Sequence, residues 1–274
     1  MRLRLVPLLA DIGSACGTTG QSLPGSTSPA PTVLPSPSAA GPDRVEHLRN
    51  LRASLQRRIA ALPGAEVGLW FEDFATGDTL GIADTVHFHA ASTMKVPVML
   101  ELFRRTDAGA IDLDARIPLV NRFASIVDAS PYSLDATEDS DDALYDRVGA
   151  PISYRELNER MIVRSSNLAT NVLIEQLDPA RVTSFARTLG GEGVVVRRGV
   201  EDGLAFRADL NNVTTARGLG KLLAALERGD AASAWATAMM RETLMRQEFN
   251  DEIPTQPDFD VNPLVIQVGV MLGG

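Results

Sequence analysis

Cysteine occurs once in the 274-residue sequence, at Cys16, and lysine only twice, at Lys95 and Lys221. A single thiol excludes an intrachain disulfide, so the fold has to be held by its core alone. Basic residues are in deficit, 26 Lys plus Arg against 35 Asp plus Glu, for a formal charge of −9. With no basic cluster to override that balance, a phosphate backbone is repelled and nucleic acid is not expected as a partner. Long apolar runs are missing too: the strongest, Pro263 to Leu272, is too short to cross a bilayer as a helix. His87 and His89 share a face of an extended segment, but no third ligand accompanies them, so neither a metal nor another cofactor is expected. What is present, 45% hydrophobic and 22% charged residues, suits one large domain or two intimate ones with a sizeable core.

The opening MRLRLVPLLADIGSACG carries Arg2 and Arg4, a short apolar stretch and then small residues leading to Cys16, the order of an export signal. It resembles a bacterial lipoprotein signal, in which Cys16 is the lipidation candidate, although Asp11 interrupts the apolar stretch. Residues 17–42 are rich in Ser, Thr, Pro and Gly and cannot build a core, so they read as an extended spacer between a membrane anchor and a domain. These features predict an exported chain, periplasmic or extracellular, with a possible lipid anchor. A structured domain is predicted over residues 43–253, with a divergent tail at 254–274.

Asp43 is a plausible cap for a helix that ends at Pro63-Gly64, and a hairpin follows, with strand-forming residues 67–74, a turn at Ala75–Asp78 and a short strand at Thr79–Ile82. Periodic segments at 92–107, 153–163, 167–177, 179–189, 214–228 and 230–248 predict helices. The acidic segment Asp135–Asp142 between them reads as a solvated loop. Strands first and a helical part at about residues 110–215 predict an α+β fold in which an antiparallel sheet is flanked by helices.

The stretch HAASTMKVPVML sets Ser92 three residues before Lys95. In a chain of this size Ser-x-x-Lys is expected about once by chance, but so few lysines make the coincidence rarer here. Pro97 is tolerated only in the first turn of a helix, which pins the helix start close to Ser92. Residue i+3 lies on the same helix face, so the Lys95 amine can reach the Ser92 hydroxyl and, if neutral, take its proton. Ser92 or Thr93 acting only as an N-cap is the competing reading.

Phe88-His-Ala-Ala-Ser92-Thr-Met-Lys95, opening an amphipathic helix after a hairpin, resembles the active-site element of the class A β-lactamases and related penicillin-recognising serine hydrolases. The resemblance implies a β-lactamase/DD-peptidase-like fold and an acyl-serine intermediate on Ser92. It matches the family's Ser-Asp-Asn motif to Ser165-Ser166-Asn167, with Ser165 as proton relay, Asn167 as a substrate contact and Ser166 in place of the aspartate. It also matches the deacylating glutamate to Glu201, with Asp202 as its rival and Ala205 where the family's asparagine is expected.

No Lys-Thr-Gly, Lys-Ser-Gly or Arg-Thr-Gly follows Glu201, and Lys221 falls within a predicted helix. Where the family places three strands and a helix, residues 254–274 offer one strand, so the expectation is a truncated or divergent member with an open sheet edge beside the hairpin and impaired activity. The resemblance implies a small-molecule substrate, a β-lactam or a peptidoglycan-like peptide, and a monomer. The alternatives are a D-alanyl-D-alanine peptidase or penicillin-binding protein, and a catalytically silent surface lipoprotein fragment.

Overall fold

A computed structural model describes residues 42–62 and 64–249, and the backbone of 266–272. The signal segment with Cys16, the spacer except Pro42, Pro63, and most of the tail lie outside the described residues. Helix α1 spans Pro42–Ala60, with Asp43 inside its first turn rather than capping it. Strands β1 (Ala65–Glu72) and β2 (Thr79–Ile82) form the expected antiparallel hairpin. Its turn is built by Asp73, whose carboxylate accepts from the Ala75 and Thr76 amides and the Thr76 hydroxyl, while Gly77 takes φ +74°.

The chain continues through β3 (Phe88–His89), α2 (Lys95–Asp107), β4 (Arg116–Pro118), β5 (Phe123–Ala124), β6 (Pro131–Tyr132), β7 (Pro151–Ser153), α3 (Tyr154–Val163), α4 (Asn167–Leu177), α5 (Pro179–Thr188), α6 (Gly203–Arg207), β8 (Val213–Thr214), α7 (Ala216–Arg228), α8 (Ala234–Met245) and β9 (Ile266–Leu272). Side chains at the N-caps account for several helix starts: Ser153, Ser166, Asp178, Asp202, Thr215 and Ser233 each accept an N–H from the first turn.

The sheet edge departs from expectation. Far from being open, β1 pairs antiparallel with β9 from Ala65 opposite Leu272 to Phe71 opposite Ile266, which gives the order β2-β1-β9 and makes β1 the central strand. The reason is in the tail itself, where IQVGVML is long enough to satisfy the second row of β1 backbone groups. Gly68 is required on that central strand, because a Cβ there would sit 2.6 Å from the Phe88 ring.

Helix α2 is the axis of the molecule. Val98, Met99, Leu100, Leu102 and Phe103 are all at most 1% exposed, so it is apolar nearly all round and packs against α4, α5 and α8. Its one buried acid, Glu101, is neutralised by a two-pronged ion pair with Arg104. Lys221, on α7, pairs with buried Glu72 of β1 at 2.8 Å and joins helix to sheet. This packing fixes the N-terminal end of α2, where Lys95 lies and which Ser92 just precedes.

Candidate active site

Two short pairings deliver Ser92. Strand β3 pairs with β8, and the Ala90 amide donates to the Asn212 carbonyl at 2.8 Å. Ala91 is then held at φ +46°, and residues Ala91–Met94 form a 3-10 turn that runs straight into α2. The N-cap position of α2 is Met94, with no side-chain cap, and the Thr93 hydroxyl donates to the Ala90 carbonyl. Ser92 is therefore not a cap, and its hydroxyl is left to accept from Lys95 and Ser165.

Lys95 is 2% exposed and aims its amine at the same spot. Its Nζ donates to Ser92 Oγ at 3.1 Å, Ser165 Oγ at 2.8 Å, Ser165 O at 2.5 Å and Asn167 Oδ1 at 3.1 Å. Burial, only partly offset by the fields of Asp139 and Glu201, pushes the ammonium down from 10.5 to about 7. An amine poised there is neutral often enough at ordinary pH to accept a hydroxyl proton.

The turn between α3 and α4 supplies the second serine. Ser165 sits at φ +56°, and its Oγ lies 3.0 Å from Ser92 Oγ. Ser166, fully buried, accepts the Ala169 amide and caps α4. Asn167 divides its amide between two bases: Oδ1 accepts from Lys95, and Nδ2 donates to Glu201 Oε1 at 2.7 Å. The substrate contact expected of Asn167 is thus accompanied by a bridge between Lys95 and Glu201.

Glu201 takes φ +61° in the loop before α6. Burial of its carboxyl, with Asp139 and Glu138 nearby, raises its pKa above the usual carboxylate range, against the Asn167 bond and the Lys95 charge. Asp202 is turned away: it is 1% exposed, accepts from Ser125 Oγ, the Ile126 amide and the Ala205 amide, and serves as the cap of α6. Among the non-glycine residues at positive φ, Ser165 and Glu201 carry interacting side chains of this site and Ala91 precedes Ser92, a strain that helps to aim those side chains.

Two contributors lack a sequence-level assignment. Asn171, one turn after Asn167 on α4, clamps the Glu201 loop by accepting the Val200 amide at 2.6 Å and donating to the Val200 carbonyl at 3.0 Å. Its spacing of four from Asn167 is the signal that marks it. The acidic segment 135–142 is not simply solvated surface: Asp139 and Asp141 are 9% and 1% exposed. Asp141 pairs with Arg160 and Arg164, and Asp139 accepts the Asn167 and Leu168 amides, because the first turn of α4 needs acceptors. His89 accepts the Ala91 amide and meets Phe206 edge-on, and among the described residues no group of three His, Cys, Asp or Glu side chains is placed to hold a metal.

Comparison with known proteins gives the family. Residues 50–263 match the model of the Beta-lactamase enzyme family. A "Beta-lactamase" from Rhodobacter capsulatus is 32% identical over 188 residues, which are 68% of this chain and 59% of that protein, so the chain spans about three-fifths of the length of this curated relative. An ancestral class A β-lactamase superposes with a TM-score of 0.59 at 26% identity, covering 74% of this chain and 73% of the other. A mutant of PBP-A, solved as an acyl-enzyme complex with penicillin-G, superposes with a TM-score of 0.61 at 24% identity, covering 74% and 71%. The family match runs from within α1 through α8, with the Ser92–Lys95–Ser165–Glu201 cluster inside it, and the chain belongs to the β-lactamase enzyme family.

Proposed function

We propose that the chain is a class A-type serine hydrolase that opens β-lactam rings through an acyl intermediate on Ser92. The observation that carries this reading is the buried Lys95 amine, 3.1 Å from Ser92 Oγ and 2.8 Å from Ser165 Oγ. Neutral Lys95 takes the Ser92 proton as Oγ attacks the lactam carbonyl carbon. When the C–N bond breaks, Ser165 passes a proton from the Lys95 ammonium to the leaving nitrogen, which returns Lys95 to its neutral form. A water deprotonated by Glu201 then attacks the ester carbonyl, and as the ester C–O bond breaks that proton returns from Glu201 to the departing Ser92 oxygen, restoring both groups. The acyl-enzyme reported for a PBP-A mutant with penicillin-G supports the first half of this sequence by fold analogy.

A penicillin-binding reading, in which the ester persists, is favoured by one feature. Ala205 follows Glu201 with a buried methyl and no polar side chain to help hold a water. Turnover of the chromogenic cephalosporin nitrocefin by the full chain tests the choice. Sustained turnover fits the hydrolase, a stoichiometric burst followed by a stable adduct fits the penicillin-binding reading, and no reaction overturns both. Export with lipidation at Cys16 belongs to the same proposal, and Cys16→Ser is expected to release the protein from membranes.

A further inference from the structure

The carboxylate of Asp139 reaches α4 from 28 residues earlier in the chain. It accepts the Asn167 amide at 3.0 Å, the Leu168 amide at 2.9 Å, the Tyr145 hydroxyl at 2.8 Å and the Asp141 amide at 3.1 Å. With Ser166 taking the Ala169 amide, the cap of α4 is split between two residues, a neutral one within the motif and a charged one outside it. The turn held in this way presents the Ser165 carbonyl, the Ser165 hydroxyl and the Asn167 side-chain oxygen, three of the four partners of Lys95.

We propose that Asp139 is a positioning residue for the acylation chemistry: it supplies from the preceding loop the negative charge that Ser166 lacks, and so fixes the Ser165–Asn167 turn against Lys95 and Glu201. The inference rests on the functional reading above and adds a residue to its machinery. The groups facing Asp139 are Tyr145 and Glu138 from its own segment, Asp141 with its partners Arg160 and Arg164, and Lys95 and Glu201 across the cleft. Its charge favours the Lys95 ammonium and disfavours the Glu201 carboxylate.

The test uses the small lysine count. Lysine labelled with 13C at Cε gives one resonance for Lys95 and one for Lys221, and Lys221→Arg assigns them. In Asp139→Asn the Lys95 titration is expected to move down by roughly 0.5 pH or more, and penicillin acylation is expected to slow by about 10- to 100-fold, mostly in kcat rather than KM. Adding Ser166→Asp to that variant returns a carboxylate to the turn and is expected to recover much of both. If Asp139→Asn does not fold, Tyr145→Phe keeps the cap while removing a donor that disperses the charge, and the Lys95 titration is expected to rise. A Lys95 titration indifferent to these changes overturns the proposal. A wild-type protein that never acylates, with Lys95 still responding to Asp139, overturns the functional reading instead.

Discussion

Ser165 holds its hydroxyl 3.0 Å from that of Ser92, across 73 positions of sequence. With Lys95 Nζ 2.8 Å from the same Ser165 oxygen, the three groups lie close enough for the proposed transfer of the Ser92 proton. Ser165→Ala cuts that transfer at the leaving nitrogen and leaves the nucleophile in place. Stopped-flow acylation by nitrocefin is expected to slow by about 100-fold in this variant, and an unchanged rate would remove Ser165 from the mechanism.

The pH dependence of acylation follows from Lys95. In the proposed mechanism acylation needs the neutral amine, and burial sets its pKa at about 7. The acylation rate is therefore expected to rise with pH through about 7 and level off above it. A rate that is flat between pH 6 and 8 contradicts Lys95 as the base.

In the proposed mechanism Glu201 governs the other half-reaction. Its raised pKa means that deacylation, which needs the carboxylate, is expected to fail on acidification before an ordinary glutamate protonates. Glu201→Gln keeps the Asn167 contact in shape and removes the base. The acyl-enzyme is expected to persist, with deacylation slowed about 10²- to 10⁴-fold, as followed by loss of adduct mass after excess β-lactam is removed.

The same lysine costs stability. Its folded pKa of about 7 lies below the ordinary lysine value of 10.5, so between these values the unfolded chain binds more protons and stability rises with pH. Lys95→Met is expected to be more stable than the wild type at pH 6, by on the order of 2–4 kcal/mol. That advantage is expected to shrink as pH rises from about 7 and to be largely gone by pH 10, and urea unfolding at pH 6 and pH 10 measures it.

Much of this was legible in the sequence because the signals were local. Pro97 marks the start of α2, the spacing from Ser92 to Lys95 is one helical turn, and the periodic segments became α3, α4, α5, α7 and α8 within a few residues. Ser92 as an N-cap was equally legible and is excluded only by the 3-10 turn at Ala91–Met94, which no periodicity announces. Asp139 and Asp141 were hidden because an acidic run has the composition of a solvated loop. Their burial depends on the first turn of α4 and on Arg160, partners that only the tertiary fold brings near. The pairing of β9 with β1 was hidden for a similar reason, since a short apolar run does not reveal its partner strand.

Intact-mass analysis of the full chain after incubation with penicillin-G, with peptide mapping of the adduct, tests the assignment of Ser92 most directly. One equivalent of acyl group is expected on Ser92 and none on Ser92→Ala. Wild-type protein that remains unmodified, or an adduct that survives Ser92→Ala, contradicts that assignment.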